Sequence, residues 1–137
     1  MTINLLDQPR TPEEIAEACE KTAEVLEGQW TQGDWYTPPY LDRVGDRHPA
    51  AFCIEGALAA VVGLEAIHMQ RERREVEALR NCAVYRAVRD TIREQGEDEW
   101  IESLPGWNDA PGRTEQQVLD VLHATAKRVL GVGPDDA

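Results

Sequence analysis

Cys53, the histidines His48, His68 and His123, and the neighbouring pair Asn108 and Asp109 are the residues of this chain whose types could make or break bonds. A thiol becomes a nucleophile as its thiolate, and an imidazole oriented by a carboxylate or an amide is a common means of generating one. Cys53 follows Pro49 closely, where the positive end of a helix would favour a thiolate. His123 or His48 would then act as base, with Asp109 or Asn108 orienting it. A thiol-dependent enzyme with a Cys53 nucleophile is one reading. The other is packing, because free cysteine is among the most buried residue types. Cys19 and Cys82 fall on apolar helical faces and read as core. Cys53, His123 and Asp109 stand as catalytic candidates and none is assigned.

Metal and cofactor chemistry finds no support. No two histidines stand three or four residues apart, and the three cysteines include no C-x-x-C pair, so neither a metal site nor a disulfide framework is expected. No cofactor is expected either, since no glycine-rich phosphate loop is present.

A second set of residues points to binding. Trp30, Trp35, Tyr36 and Tyr40 are half of the chain's tryptophan, tyrosine and phenylalanine, and they crowd into a stretch from Gln29 to His48 that has no helical period. A loop of that length in a compact domain is functional, packed down or mobile, and aromatic side chains seldom stay in water without a partner. They either fold down as a lid or line a cleft. Trp107, Asn108, Asp109 and Arg113 form a second group in the turn Asn108-Asp109-Ala110-Pro111-Gly112-Arg113-Thr114. Asx-turn residues, a Pro-Gly pair and a capping threonine give that turn a structural explanation, and Asp109 lies four residues from Arg113, in reach of a salt bridge. The same groups, held rigidly, could bind a polar ligand. Trp30, Trp35, Tyr36, Tyr40, Trp107, Asn108, Asp109 and Arg113 are the candidate binding residues.

These residues need a scaffold, and the hydrophobic pattern supplies one. Thr11-Pro12-Glu13-Glu14 combines a cap, a proline suited to the first helical position and a capping-box glutamate. The helix it starts carries Ile15, Cys19, Thr22 and Leu26 inward and Glu13, Glu17, Glu20, Glu24 and Glu27 outward, and Gly28 stops it. Pro49 to Leu64 has Glu55 as its one charge and reads as a buried central helix continuing to Ile67, too short for a bilayer span of about 20 residues. A third helix is expected from about Arg71 to Gln95. It is the one basic segment, with Arg71–Glu75, Arg73–Glu77 and Arg86–Asp90 spaced as surface ion pairs. It either shows a basic face or lies against the acidic first helix. A connector holds Trp100, Ile101, Leu104 and Trp107. Thr114 with Gln117 is a second capping box, opening a last helix from about Glu115 to Leu130. The expected fold is all-α, four main helices around the central one, with a long aromatic-rich loop after the first. Residues 1–10 read as an arm, 11–131 as one domain and 132–137 as a tail.

At 137 residues the chain suffices for one core. Its formal charge of −12 argues against direct binding of nucleic acid or anionic membranes, which requires Lys and Arg to displace counterions. An acidic nucleic-acid mimic seated in a basic groove of a host protein is the sharper reading of that charge. Residues 1–10 contain Asp7 and no apolar run, so no export signal is expected, and the unpaired cysteines suggest a reducing cytoplasm.

The order Trp30-Thr31-Gln32-Gly33, then Phe52-Cys53-Ile54-Glu55-Gly56-Ala57-Leu58, then Trp107 to Thr114 before a closing helix resembles an uncharacterised family, a domain of unknown function associated with actinobacteria and their bacteriophages. The resemblance covers roughly Glu13 to Leu130 and has its most specific part in the asparagine-to-threonine block. It implies no activity. It implies a small cytoplasmic accessory protein acting on a host component, and that the C-x-x-G-A-L and N-D-x-x-G-R-T blocks meet in space. Binding of a protein partner through the aromatic-rich surface is the leading expectation, with homo-oligomerisation left open.

Overall fold

Both capping boxes form. Thr11 Oγ1 accepts the Glu14 N–H at 3.1 Å while Glu14 Oε1 accepts the Thr11 N–H, and Thr114 and Gln117 exchange the same pair of bonds. They start helix α1, Pro12–Leu26, and the last helix, Glu115–Val129. The computed structural model describes residues 9–63, 73–96 and 103–131, without the side chains of 73–75. The expectations for residues 1–8 of the arm, for Leu64, Ile67 and His68, for Arg71, for Trp100 and Ile101 and for the tail lie outside the described residues.

The protein is mostly helical, with two small antiparallel strand pairs. After α1 come β1 (Tyr36–Thr37), β2 (Tyr40–Leu41), β3 (Arg47–His48), β4 (Ala51–Phe52) and α2 (Ile54–Val61). They are followed by α3 (Arg73–Arg80), α4 (Ala83–Glu94), α5 (Leu104–Asn108) and α6, the Glu115–Val129 helix. Helix α1 packs along α6 and against α2, α4 packs on α6, and α2 meets α5. Leu26, Ile54, Leu58, Leu79, Ile92, Leu104 and Leu122 fill the space between them without exposed surface of any consequence. Helix α2 is the central one: every residue from Ile54 to Ala59 is buried, which explains why its sequence is apolar on all sides.

Three expectations are corrected. The central helix begins at Ile54 rather than Pro49, because Ala51 and Phe52 are extended and pair with Thr37 and Tyr36. The long basic helix is broken. Cys82 is extended (φ −75°, ψ 158°) and Asn81 Nδ2 donates to the Glu77 carbonyl at 2.8 Å, ending α3 where one continuous helix was expected. Finally, the loop after α1 contains strands. Tyr36–Thr37 pairs with Ala51–Phe52, and Tyr40–Leu41 pairs with Arg47–His48, two nested hairpins where at most a short extended piece at Gln29 to Tyr36 was expected.

Candidate functional site

Asn108 is the residue from which the site is built. It closes α5, is fully buried, and uses both ends of its amide. Its Oδ1 accepts from Trp30 Nε1 at 2.7 Å and from the Ile54 N–H at 3.0 Å; its Nδ2 donates to the Thr31 carbonyl and to Asp109 Oδ1, both at 3.0 Å. One side chain thus ties the start of the aromatic loop, the first turn of α2 and its own turn into a single knot. Around it, Gln32 Nε2 donates to the carbonyls of Asn108 and Ala110, and Asp109 Oδ1 accepts the Gly33 N–H at 2.9 Å. The C-x-x-G-A-L and N-D-x-x-G-R-T blocks do meet in space, and Trp30 to Gly33 is the third partner.

The backbone closes the same junction. Thr31 N–H reaches the Phe52 carbonyl, Phe52 N–H the Gln29 carbonyl, and Cys53 N–H the Trp35 carbonyl at 3.3 Å. Gly56 lies directly beneath that last carbonyl. A Cβ there would collide with the oxygen and carbon of Trp35, so only glycine allows the loop to sit on α2.

Cys53 is the N-cap of α2, 2% exposed, and its Sγ accepts the Gly56 N–H at 3.4 Å. Burial pushes its thiol up to about 12, outweighing the stabilising amides and aided by the negative charge of Glu55. The described histidines are engaged elsewhere: His48 Nε2 lies 2.9 Å from Asp42 Oδ2, and His123 Nδ1 lies 2.8 Å from Glu20 Oε2 on the outer faces of α6 and α1. Asp109 serves Gly33 and Asn108. These contacts assign Cys53, His123 and Asp109 to three separate tasks, and the sulfur to capping.

The candidate binding residues likewise separate. Trp107 is buried, with the Arg113 guanidinium 4.1 Å over its ring and Arg113 Nε donating to its carbonyl at 3.0 Å. Trp30 and Trp35 are half-buried against the core, and the half-buried Tyr36 packs on Phe52 with ring centroids 5.2 Å apart. Tyr40 alone of the four loop aromatics is exposed. It stacks on His48, with centroids 4.6 Å apart and planes 6° from parallel.

Tyr40 belongs to a hairpin that organises itself. Asp42 Oδ1 accepts the N–H groups of Val44 and Asp46, while Oδ2 takes the His48 contact, and Gly45 at φ 87° makes the tight turn. The hydrogen bond to His48, then those from the Asp46 and Val44 amides, hold the Asp42 carboxyl below its ordinary range. On this frame Tyr40 is 51% exposed, Leu41 66% and Val44 81%, three of the four exposed large hydrophobic side chains among the described residues.

Sequence reasoning missed one polar centre. Glu55 is fully buried; Arg80 grips both its oxygens at 3.1 and 3.2 Å, and Tyr85 Oη donates to Oε2 at 2.7 Å while accepting the Leu104 N–H at 2.8 Å. Desolvation and the Glu55 charge drive the Tyr85 hydroxyl upward, so it stays a donor. The signal was visible: Glu55 is the only charge in an otherwise apolar helix, and a buried carboxylate requires a cation. The basic segment was expected either to face solvent or to lie against the first helix, and its Arg80 turns to Glu55 of α2 instead. Elsewhere in that segment Asp90 lies 3.9 Å from Arg93, and Arg128 of α6 reaches Glu94 at 2.8 Å.

Among the described residues no cluster of three or more His, Cys, Asp or Glu could hold a metal ion, and no helix is long and apolar enough to cross a membrane. Residues 10–128 match a family of unknown function, DUF6197, and the chain belongs to it. No curated protein and no solved structure matches the chain.

Proposed function

We propose that this member of the family is a small acidic accessory protein, phage or actinobacterial and cytoplasmic, that acts by binding a protein partner, and that the contact is made by the β2–β3 hairpin. The observation that carries the reading is the exposure of Tyr40, Leu41 and Val44 on a hairpin tied by its own hydrogen bonds. Exposed apolar side chains grouped on one element mark interaction sites, and a preorganised loop loses little entropy on docking. The partner that fits is a protein with an apolar recess and a polar rim, since Arg43, Asp46 and Arg47 surround the apolar tip with both signs of charge. Three buried free cysteines agree with a reducing compartment.

This narrows the expected surface. Trp30, Trp107 and Asn108 hold the molecule together and leave little of themselves for a partner. A thiol-dependent mechanism draws no support from a capped, buried sulfur. The acidic-mimic reading rests on the outer face of α1, where Glu13, Glu17, Glu20, Glu24 and Glu27 are exposed.

Site-specific photocrosslinking separates the two surfaces. A photoreactive residue at Val44 should give a discrete protein adduct in cells, and the same residue at Glu24 on α1 should give none. An adduct from Glu24 alone, weakening steeply with salt, would replace the hairpin by the acidic face. No adduct from either position would remove the binding reading.

A further inference from the structure

The hairpin fits a partner with an apolar recess and a polar rim, and the chain carries such a recess on its own surface. A cavity of about 380 Å³ lies where the N-terminal arm passes the joint between α3 and α4. Pro9, Ala78, Cys82 and Ala83 supply its apolar wall, and the charged residues of its lining are Arg10 and Arg86, with no carboxylate. Arg10 already acts on the Glu14 carboxylate. Arg86, exposed one turn into α4, is the charge that an incoming group would meet.

We propose that the partner of the hairpin is a second copy of this chain, which receives Leu41 and Val44 in its α3–α4 cavity with Asp46 set against Arg86. The inference rests on the hairpin reading above and names its partner. With 26 acidic residues against 14 basic ones, two copies repel over most of their surfaces. Two features escape that charge. Between Tyr40 and His48, Arg43 and Arg47 balance Asp42 and Asp46, so the hairpin is neutral, and the cavity lining is positive. Their pairing is therefore the approach that the charge distribution penalises least, and complementary charge of this kind sets orientation and register. Within the hairpin the Asp42 carboxylate is spent on His48 and on the Val44 and Asp46 amides. Asp46 enters the hairpin through its backbone N–H and carbonyl, and its exposed side chain is the carboxylate that faces outward. Hairpin and cavity are different surfaces, so each copy keeps one of each unused after pairing and the assembly continues past two.

The test is sedimentation of the purified full chain over a range of concentrations. The average mass should rise with concentration beyond that of a dimer. Asp46→Arg and Arg86→Glu, both at exposed positions, should each weaken association at least about tenfold, because like charges then face each other across the contact. An equimolar mixture of the two variants should recover it, since every hairpin again meets a cavity of opposite charge; a change confined to the fold of one variant would not be repaired by mixing. A monomeric mass at every concentration, undiminished association of the folded Arg86→Glu chain, or no recovery in the mixture would overturn the proposal. If the chain is monomeric and a photoreactive residue at Val44 still captures a different protein, the hairpin reading stands and the second copy falls.

Discussion

The two halves of the loop after α1 obey different rules. From Gln29 to Trp35 the chain is held by distant partners: Asn108, Asp109 and Phe52 take its polar groups, and Gly56 makes room for its backbone. From Tyr40 to His48 it is held by itself, through Asp42, a tight glycine turn and a ring stack. The first half, with Trp30 and Trp35 half-buried against the core, is tied into the fold by what it contacts. The second is ordered without being buried, which leaves its apolar side chains available. Aromatic content alone therefore does not mark a surface; the location of the hydrogen-bond partners separates an anchor from a contact.

The comparison breaks most severely at Gly56. Gly56→Ala places a methyl group against the Trp35 carbonyl, and backbone cannot yield as a flexible side chain can, so a loss of about 3 kcal/mol or more is expected in urea unfolding. A stable Gly56→Ala protein would show that the inner half does not need its close seat on α2. Glu55→Ala leaves Arg80 and the Tyr85 hydroxyl facing a vacated buried site, and removal of one partner of such a pair costs about 3 kcal/mol; an unfolding midpoint equal to wild type would refute the role given to that centre. Asn108→Ala strands the Trp30 indole N–H and the Ile54 amide, for about 2 kcal/mol. Indole fluorescence should report release of Trp30 in the folded variant, and an unchanged spectrum would count against the knot.

How much of this was legible beforehand follows the same division. Both capping boxes and the stripes of α1 and α6 could be read because their signals are local: a threonine, a glutamate or glutamine three residues on, and apolar residues at helical spacing. The meeting of the two sequence blocks was expected from resemblance. The breaks were not legible. Cys82 interrupts an unbroken helical pattern, and the Arg80–Glu55 pair joins residues 25 apart, so neither shows in the local spacing of residues. The two-residue strands follow from pairing across the loop, which no alternation announces. Trp30 and Tyr40 look alike in sequence, and only Asn108, 78 residues from Trp30, makes one internal.

Acid sharpens the contrast at smaller cost. Asp42 titrates below its ordinary range in the folded protein, so its contribution to the hairpin is complete above the unfolded value of about 3.9 and is lost as pH falls through the lower folded value. The amide resonances of Val44 and Asp46 should therefore change below about pH 4 while those of Thr31 and Ile54, held by a backbone carbonyl and a side-chain amide that do not titrate, move less. Simultaneous change in all four would mean that the two halves of the loop are one cooperative unit.

The most direct test is the affinity of the photocrosslinked partner for a Leu41→Ser, Val44→Ser double variant. These side chains are solvent-exposed, so stability should stay within about 0.5 kcal/mol of wild type, while loss of the apolar tip should weaken the complex at least about tenfold. Full affinity in the folded double variant would contradict the assignment of the hairpin as the contact surface.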